Sequence, residues 1–201
     1  MSSEKRRYEL KARADSQRRT RERIVQATME LHQEVGPAQT TIAEIARRAD
    51  VQRLTVYNHF PDEQELFGAC QAHWLSLHPL PDLTAALALP DPVERVHAVL
   101  RGYYGWYRDT ESMSENVQRD RGVVPPLNEV LGQTADAGLS HLADALAAGF
   151  RDRGRVAGRR RALIAVALDF WTWRRLDREG LDDAAAAAVM AQAVARAPSG
   201  H

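Results

Sequence analysis

The stretch TTIAEIARRADVQRLTVYNHF, residues 40–60, holds two helical signals, each too short to stand alone, separated only by a tight turn. Ile42, Ile45, Ala46 and Ala49 recur at i, i+3, i+4 and i+7, which is one face of an α-helix. Thr41 and Glu44 read as a capping box, the hydroxyl closing one orphan amide and the carboxylate reaching back to another. Asp50 stops the helix, because aspartate tolerates the left-handed backbone for which glycine is otherwise preferred. A second helix follows from about Gln52 to His59. Val51, Val56 and Phe60 turn inward in it, and Leu54, Thr55, Tyr57 and Asn58 fall on the outer side. That outer face, with Arg53 at its start and His59 at its end, suits contact with a polar, anionic partner. The pair reads as a helix-turn-helix whose second helix enters a DNA major groove.

With its continuation PDEQEL, this stretch resembles the DNA-binding signature of the TetR family of bacterial transcriptional repressors, most recognisably in Tyr57, His59 and Phe60. The resemblance spans roughly residues 24–66, and the rest of the chain agrees in length and helical layout. It implies that Thr41 and Tyr57 touch phosphate, that His59 closes the grip, and that Gln52, Arg53, Leu54 and Thr55 lie nearest base edges beside Asn58. Three residues depart from the family pattern. Asp50 stands where most members have glycine, Leu54 where many have a small residue, and Glu63 where many have lysine. Leu54 has the chemistry to meet a thymine methyl, whereas a carboxylate at Glu63 repels phosphate.

Charge divides the chain in the same place. Residues 1–60 hold 12 of the 27 basic side chains and 8 of the 27 acidic ones, so a basic front precedes an acidic body. Residues 1–17 combine Lys5, Arg6, Arg7, Lys11 and Arg13 with few apolar residues, and are expected to form a mobile basic arm. Such an arm either meets phosphates or a minor groove, or is a solvated tail or an extension of the first helix. The expected divisions are then a helix-turn-helix domain over 18–61, a helical ligand-binding and dimerisation domain over 62–197, and a disordered tail over 198–201. Nothing approaches the roughly 18 apolar residues of a membrane span, and a lone Cys70 forms no intrachain disulfide, so a cytoplasmic location is expected.

The second half predicts an all-α fold, with about nine helices in the whole chain. Residues 161–176 are apolar almost all round the axis, and residues 182–197 are rich in alanine, so these last two helices are expected to pair across a two-fold axis in a homodimer. The resemblance also implies a small-molecule effector held among the central helices. Trp74, Tyr103, Trp106, Tyr107, Met113, Phe170 and Trp171 supply an apolar lining for it, although any one of them serves equally as core. Asp169, within an apolar run, needs a partner, either an arginine, a cationic ligand or water. No phosphate loop, zinc-binding helix, nucleophile elbow or cysteine pair is present, so neither an enzyme, a metal nor a cofactor is expected. The reading that follows is a dimeric regulator that grips a palindromic double-stranded operator and is released by its effector. The alternative is an α-helical ligand- or protein-binding module whose helix-turn-helix reads no specific operator.

Overall fold

The computed structural model describes residues 2–197, with side chains from Arg7 onward; the expected tail over 198–201 lies outside the described residues. Among them every regular element is helical: α1 (Ser2–Glu34), α2 (Ile42–Arg48), α3 (Arg53–His59), α4 (Glu63–Leu77), α5 (Thr84–Leu87), α6 (Pro92–Asp109), α7 (Glu111–Asp120), α8 (Pro125–Leu131), α9 (Ala137–Ala148), α10 (Gly154–Leu168), α11 (Phe170–Arg178) and α12 (Asp183–Ala195). The chain divides into two compact units. One runs up to His78 and includes Asn116–Val130, and the other comprises Pro79–Glu115 and the chain from Leu131 onward.

In the first unit α1 packs on α2 and α4, and α2 on α3. Ile24, Ala27 and Leu31 of α1 meet Ile45, Ala46, Val56, Phe60 and Leu66 in one apolar core. Because Leu66 and Cys70 turn α4 towards α1, the unit continues to His78, past the boundary expected at Pro61. Residues 2–17 continue α1 instead of forming a separate arm. They contain no glycine or proline, and Asp15 pairs with Arg18 at 3.0 Å one turn along, a spacing that supports a helix. His32 is buried, stacked on Phe67 at 5.4 Å with Nδ1 3.6 Å from Cys70 Sγ. Burial lowers the His32 pKa to about 4 against an opposing pull from Asp120, so the ring is neutral at pH 7. Burial likewise pushes the Cys70 thiol up to about 12, and it packs as a small hydrophobe.

Asn116–Val130 joins this unit through the end of α1. Asn116 Nδ2 donates to the carbonyls of His32 and Gln33 at 3.0 and 2.9 Å, two of the acceptors a helix end leaves open. Asp120 accepts from the Ala38 amide at 2.9 Å.

In the second unit α12 lies along α6, and α9 against α10. Val96, Val99, Leu100, Tyr104, Leu146, Ile164, Trp173, Ala187 and Val194 are wholly enclosed. Asp91 starts α6 by accepting from the amides of Val93 and Glu94, with Pro92 in the first turn where its missing N–H costs nothing. Arg160, also buried, donates to the carbonyls of Val194 and Ala195 and so closes the end of α12.

The proline-punctuated link from Pro79 carries the single turn α5, and a π turn over Gly132–Asp136 separates α8 from α9. The expected helix over 161–176 is two helices broken at Asp169. Asp169 is exposed and caps α11, accepting from the amides of Trp171 at 2.8 Å and Thr172 at 3.3 Å; these amides are the partners its position requires. The break frees carbonyls at the end of α10, and the hydroxyls of Tyr104 and Tyr107 donate to those of Ala167 and Leu168, each at 2.7 Å. Nor is this region enclosed on every side, since Val166 is 51% and Trp171 40% exposed.

Candidate nucleic-acid interface

The helix-turn-helix is held by its turn. Thr41 Oγ1 accepts from the Glu44 amide at 3.2 Å, the first half of the expected capping box. The second half does not form, because the Glu44 carboxylate turns to the Arg47 guanidinium, the stronger donor. At the other end of α2, Asp50 adopts φ 53, the left-handed geometry its sequence position suggests. Val51 N then donates to Ala46 O at 3.0 Å and Asp50 N to Arg47 O at 3.3 Å. These are the two bonds of a Schellman motif, usually built on glycine, and they fix the angle at which α3 leaves α2.

On α3, Val56 is fully buried, and Gln52, Arg53, Leu54, Tyr57 and Asn58 are exposed, with Thr55 and His59 half-buried at the margin. Leu54 and Tyr57 are 66% and 53% exposed, although both have large apolar surfaces that an unpartnered helix would be expected to bury. Among the described residues Arg53 makes no ion pair or hydrogen bond, whereas Arg48 is held by Glu34 through two bonds of 2.6 and 2.7 Å. Thr41 opens the same motif from α2 and is exposed. The expected DNA-contacting residues are thus gathered on one motif with their polar groups largely uncommitted.

α1 contributes to this face as well, through residues at and just beyond the end of the expected basic arm over 1–17. Gln17, Arg18 and Arg21 line an open groove of about 530 Å³ with Thr55, Asn58 and His59. Arg21 lies 4.4 Å over the Phe60 ring and donates to Glu65 at 3.2 Å, while Arg18 is exposed. The signal was available: Arg18, Arg21 and Val25 fall at i, i+3 and i+7, so the basic residues share the face that becomes core one turn later.

The residues expected to hold an effector divide between the units. Trp74 belongs to the first, where it is buried and stacked on His78 at 3.9 Å. In the second, Tyr107 contacts Tyr103, Trp106 and Phe170 with centroids 6.0, 5.6 and 5.4 Å apart, and Trp171 is 5.1 Å from Phe170. Met113 is buried in the same unit, and Asp169 is committed to its cap. Burial raises the pKa of both Tyr104 and Tyr107, so their hydroxyls remain donors. Among the described residues no group of three or more His, Cys, Asp or Glu is placed to hold a metal, and no helix is long and apolar enough to cross a membrane.

These features define an all-α protein whose first unit presents a helix-turn-helix. Residues 24–70 match the family described as bacterial regulatory proteins, tetR family. The match covers 47 of the 201 residues, and over them the first unit is similar to that family of regulators. No curated protein matches it in sequence. Solved structures share the fold over nearly the whole chain. A TetR-like transcriptional regulator from Rhodococcus sp. RHA1 is 20% identical, with a TM-score of 0.57 over 88% of this chain and 94% of that one. NalD, the secondary repressor of the MexAB-OprM multidrug efflux pump in Pseudomonas aeruginosa, is 20% identical, with a TM-score of 0.57 over 90% and 96%. The multidrug binding protein EbrR, solved with imidazole, is 22% identical, with a TM-score of 0.56 over 87% and 92%.

Proposed function

We propose that the protein is a homodimeric repressor that binds a palindromic operator through α3 and is released when a small apolar or aromatic ligand binds its second unit. The observation that carries this reading is the outer face of α3, where Arg53, Leu54, Tyr57 and Asn58 stand exposed beside Arg18. Thr41 and Tyr57 meet phosphate and His59 closes the contact, while Gln52, Arg53, Leu54 and Thr55 lie against base edges. The ligand would enter among Tyr103, Trp106, Tyr107 and Phe170, whose rings supply stacking surface. That NalD is a repressor and EbrR binds drugs agrees with this reading. The ligand favours a conformation with the wrong half-site spacing, and this coupling, typically about 1–3 kcal/mol, lowers operator affinity reciprocally.

The test is a gel-shift titration against DNA from around the protein's own coding region, at low and moderate salt, with random DNA as competitor. Specific, salt-sensitive binding with two-fold-symmetric protection is expected. Tyr57→Ala should weaken binding to every sequence alike, whereas Arg53→Ala should also flatten sequence preference, by about 1–3 kcal/mol at the position it reads. Equal losses on operator and random DNA for both variants would refute that division of roles. Binding without preference would favour the alternative, a helix-turn-helix that serves another partner.

A chain with one reading helix needs a second copy to span half-sites about 34–36 Å apart. The packed pair α10 and α12 carries a candidate surface: Ala162, Ala165 and Val166 on one helix and Ala185 and Val189 on the other are exposed, the valines by 51% and 47%. Small side chains of this kind permit close helix approach across a two-fold axis. Because Ala187 and Val194 tie α12 into the core, its removal would unfold the unit, so the informative variants are on the surface. Val166→Glu with Val189→Glu should convert a dimer to a folded monomer by light scattering, and a persistent dimer would place the interface elsewhere.

A further inference from the structure

The N-terminal half of α1 has a charge pattern in register with the reading helix. Arg7, Lys11, Ala14, Arg18, Arg21 and Val25 fall at i, i+4, i+7, i+11, i+14 and i+18, all on one face of the helix. The side this face occupies is set at its C-terminal end. Val25 is buried in the first unit's core, Arg21 lies over the ring of Phe60 at the end of α3, and Arg18 lines the groove with Thr55, Asn58 and His59. Its nearest acidic partners stand at the margin of the face, where Asp15 and Glu22 pair with Arg18 at 3.0 and 3.7 Å. Residues 7 to 14 are all exposed, with Tyr8 at 75% and Leu10 at 61%, so packing gives these turns no reason to exist. At 1.5 Å per residue, Arg7 stands about 16 Å beyond Arg18 along the axis.

We infer that the Arg7–Lys11–Arg18 stripe of α1 is a second DNA-contacting surface, which binds the phosphates of the duplex flanking the base pairs that α3 reads. The partner follows from charge complementarity and from continuity with the α3 face, and the inference rests on the operator-binding reading above. Double-stranded DNA carries one charge per about 1.7 Å of its axis, so a basic stripe about 16 Å long has several phosphates within its span. A helix carrying the basic groups also presents them in fixed register, and less ordering entropy is lost on binding than with an unstructured tail. The stripe adds affinity and salt dependence but no base preference, because phosphate contacts position a protein and base edges specify its site.

The experiment uses the full chain and a duplex that the unaltered protein itself enriches from a random-sequence pool. The duplex is made in two lengths, one trimmed to the protected palindrome and one extended by about ten base pairs, one helical turn, at each end. Arg7→Gln with Lys11→Gln alters only exposed side chains and should leave thermal unfolding unchanged. On the extended duplex it should flatten the dependence of log affinity on log salt by about 3.6, from about 0.9 for each of four phosphates, two per protomer, that the variant no longer neutralises. Affinity then falls roughly a hundredfold less than for the unaltered protein between 50 and 200 mM salt. On the trimmed duplex the two proteins should bind alike. Equal binding of variant and parent to both lengths would overturn the stripe and leave the operator reading standing. An equal loss on both lengths would also overturn it, since the contact would not lie in the flanks. If the unaltered protein enriches no sequence, the operator reading fails, and the stripe with it.

Discussion

Trp173→Ala should cost the second unit about 3–5 kcal/mol, the range for deleting a large aromatic side chain from a packed core. Trp173 is wholly buried, with its ring centroid 5.5 Å from that of Phe170 and 5.8 Å from that of Tyr107. Its indole N–H is satisfied as well, donating to Asp183 Oδ1 at 3.0 Å. The same carboxylate receives two bonds of 2.9 Å from Arg108, whose guanidinium lies 5.5 Å over the Trp173 ring. Truncation therefore opens a cavity at the meeting of α6, α11 and α12 and takes a donor from a carboxylate that keeps Arg108. Trp173→Phe separates the two contributions, because it retains much of the ring volume and loses the hydrogen bond, which is worth about 1–3 kcal/mol where the acceptor is charged. Urea unfolding followed by far-ultraviolet circular dichroism would measure both variants. A loss below about 1 kcal/mol for the alanine would mean that the site collapses and the aromatic cluster is loosely packed.

The features most legible in the sequence were those fixed by local chemistry. Thr41 caps α2, Asp50 takes positive φ, and Val56 and Phe60 face inward, each from a short-range rule. Where two local solutions compete, the pattern is ambiguous. An aspartate in an apolar run reads as a buried charge if the helix is continuous and as a cap if it ends there. Asp169 is a cap, and the helix break it makes also supplies carbonyls to Tyr104 and Tyr107. The Glu44 carboxylate posed a similar choice between an amide behind it and Arg47 one turn ahead. Long-range associations left less trace. Nothing in the periodicity of residues 116–130 indicates that they fold with the first unit, because what binds them there is a set of single hydrogen bonds to helix-end and loop backbone. The groove beside α3 is of the same kind: the face that Arg18 and Arg21 share with Val25 is readable in the sequence, but that α3 lies beside it is set by long-range packing.

The same long-range bonds make Gly36→Ala the second large effect. Gly36 has φ 93 and ψ 158, a region essentially closed to residues with a side chain, and occupying it costs about 1–3 kcal/mol. The crowding is independent of that strain: an added Cβ would overlap Arg119 Nη2 and Asp120 Oδ2. Asp120 is 4% exposed; burial acts to raise its pKa, but the bonds from Arg119 and the Ala38 amide outweigh this and hold the carboxyl below the usual range. Displacing that carboxylate leaves the Ala38 amide or the acid itself short of a partner, at about 1–3 kcal/mol more. The expected total is therefore about 2–6 kcal/mol, lost from the first unit. Asp120→Asn keeps an acceptor for Ala38 and adds no Cβ, so it should lose only part of this amount. Gly36 and Ala38 precede Thr41, so the alanine variant should also speed amide hydrogen exchange from Ala38 through Ile45 and weaken DNA binding through the misplaced α2. Unchanged exchange together with an unchanged unfolding midpoint would show that the turn relaxes to an ordinary backbone, and that the link between Asp120 and the α1–α2 connection contributes little to the unit.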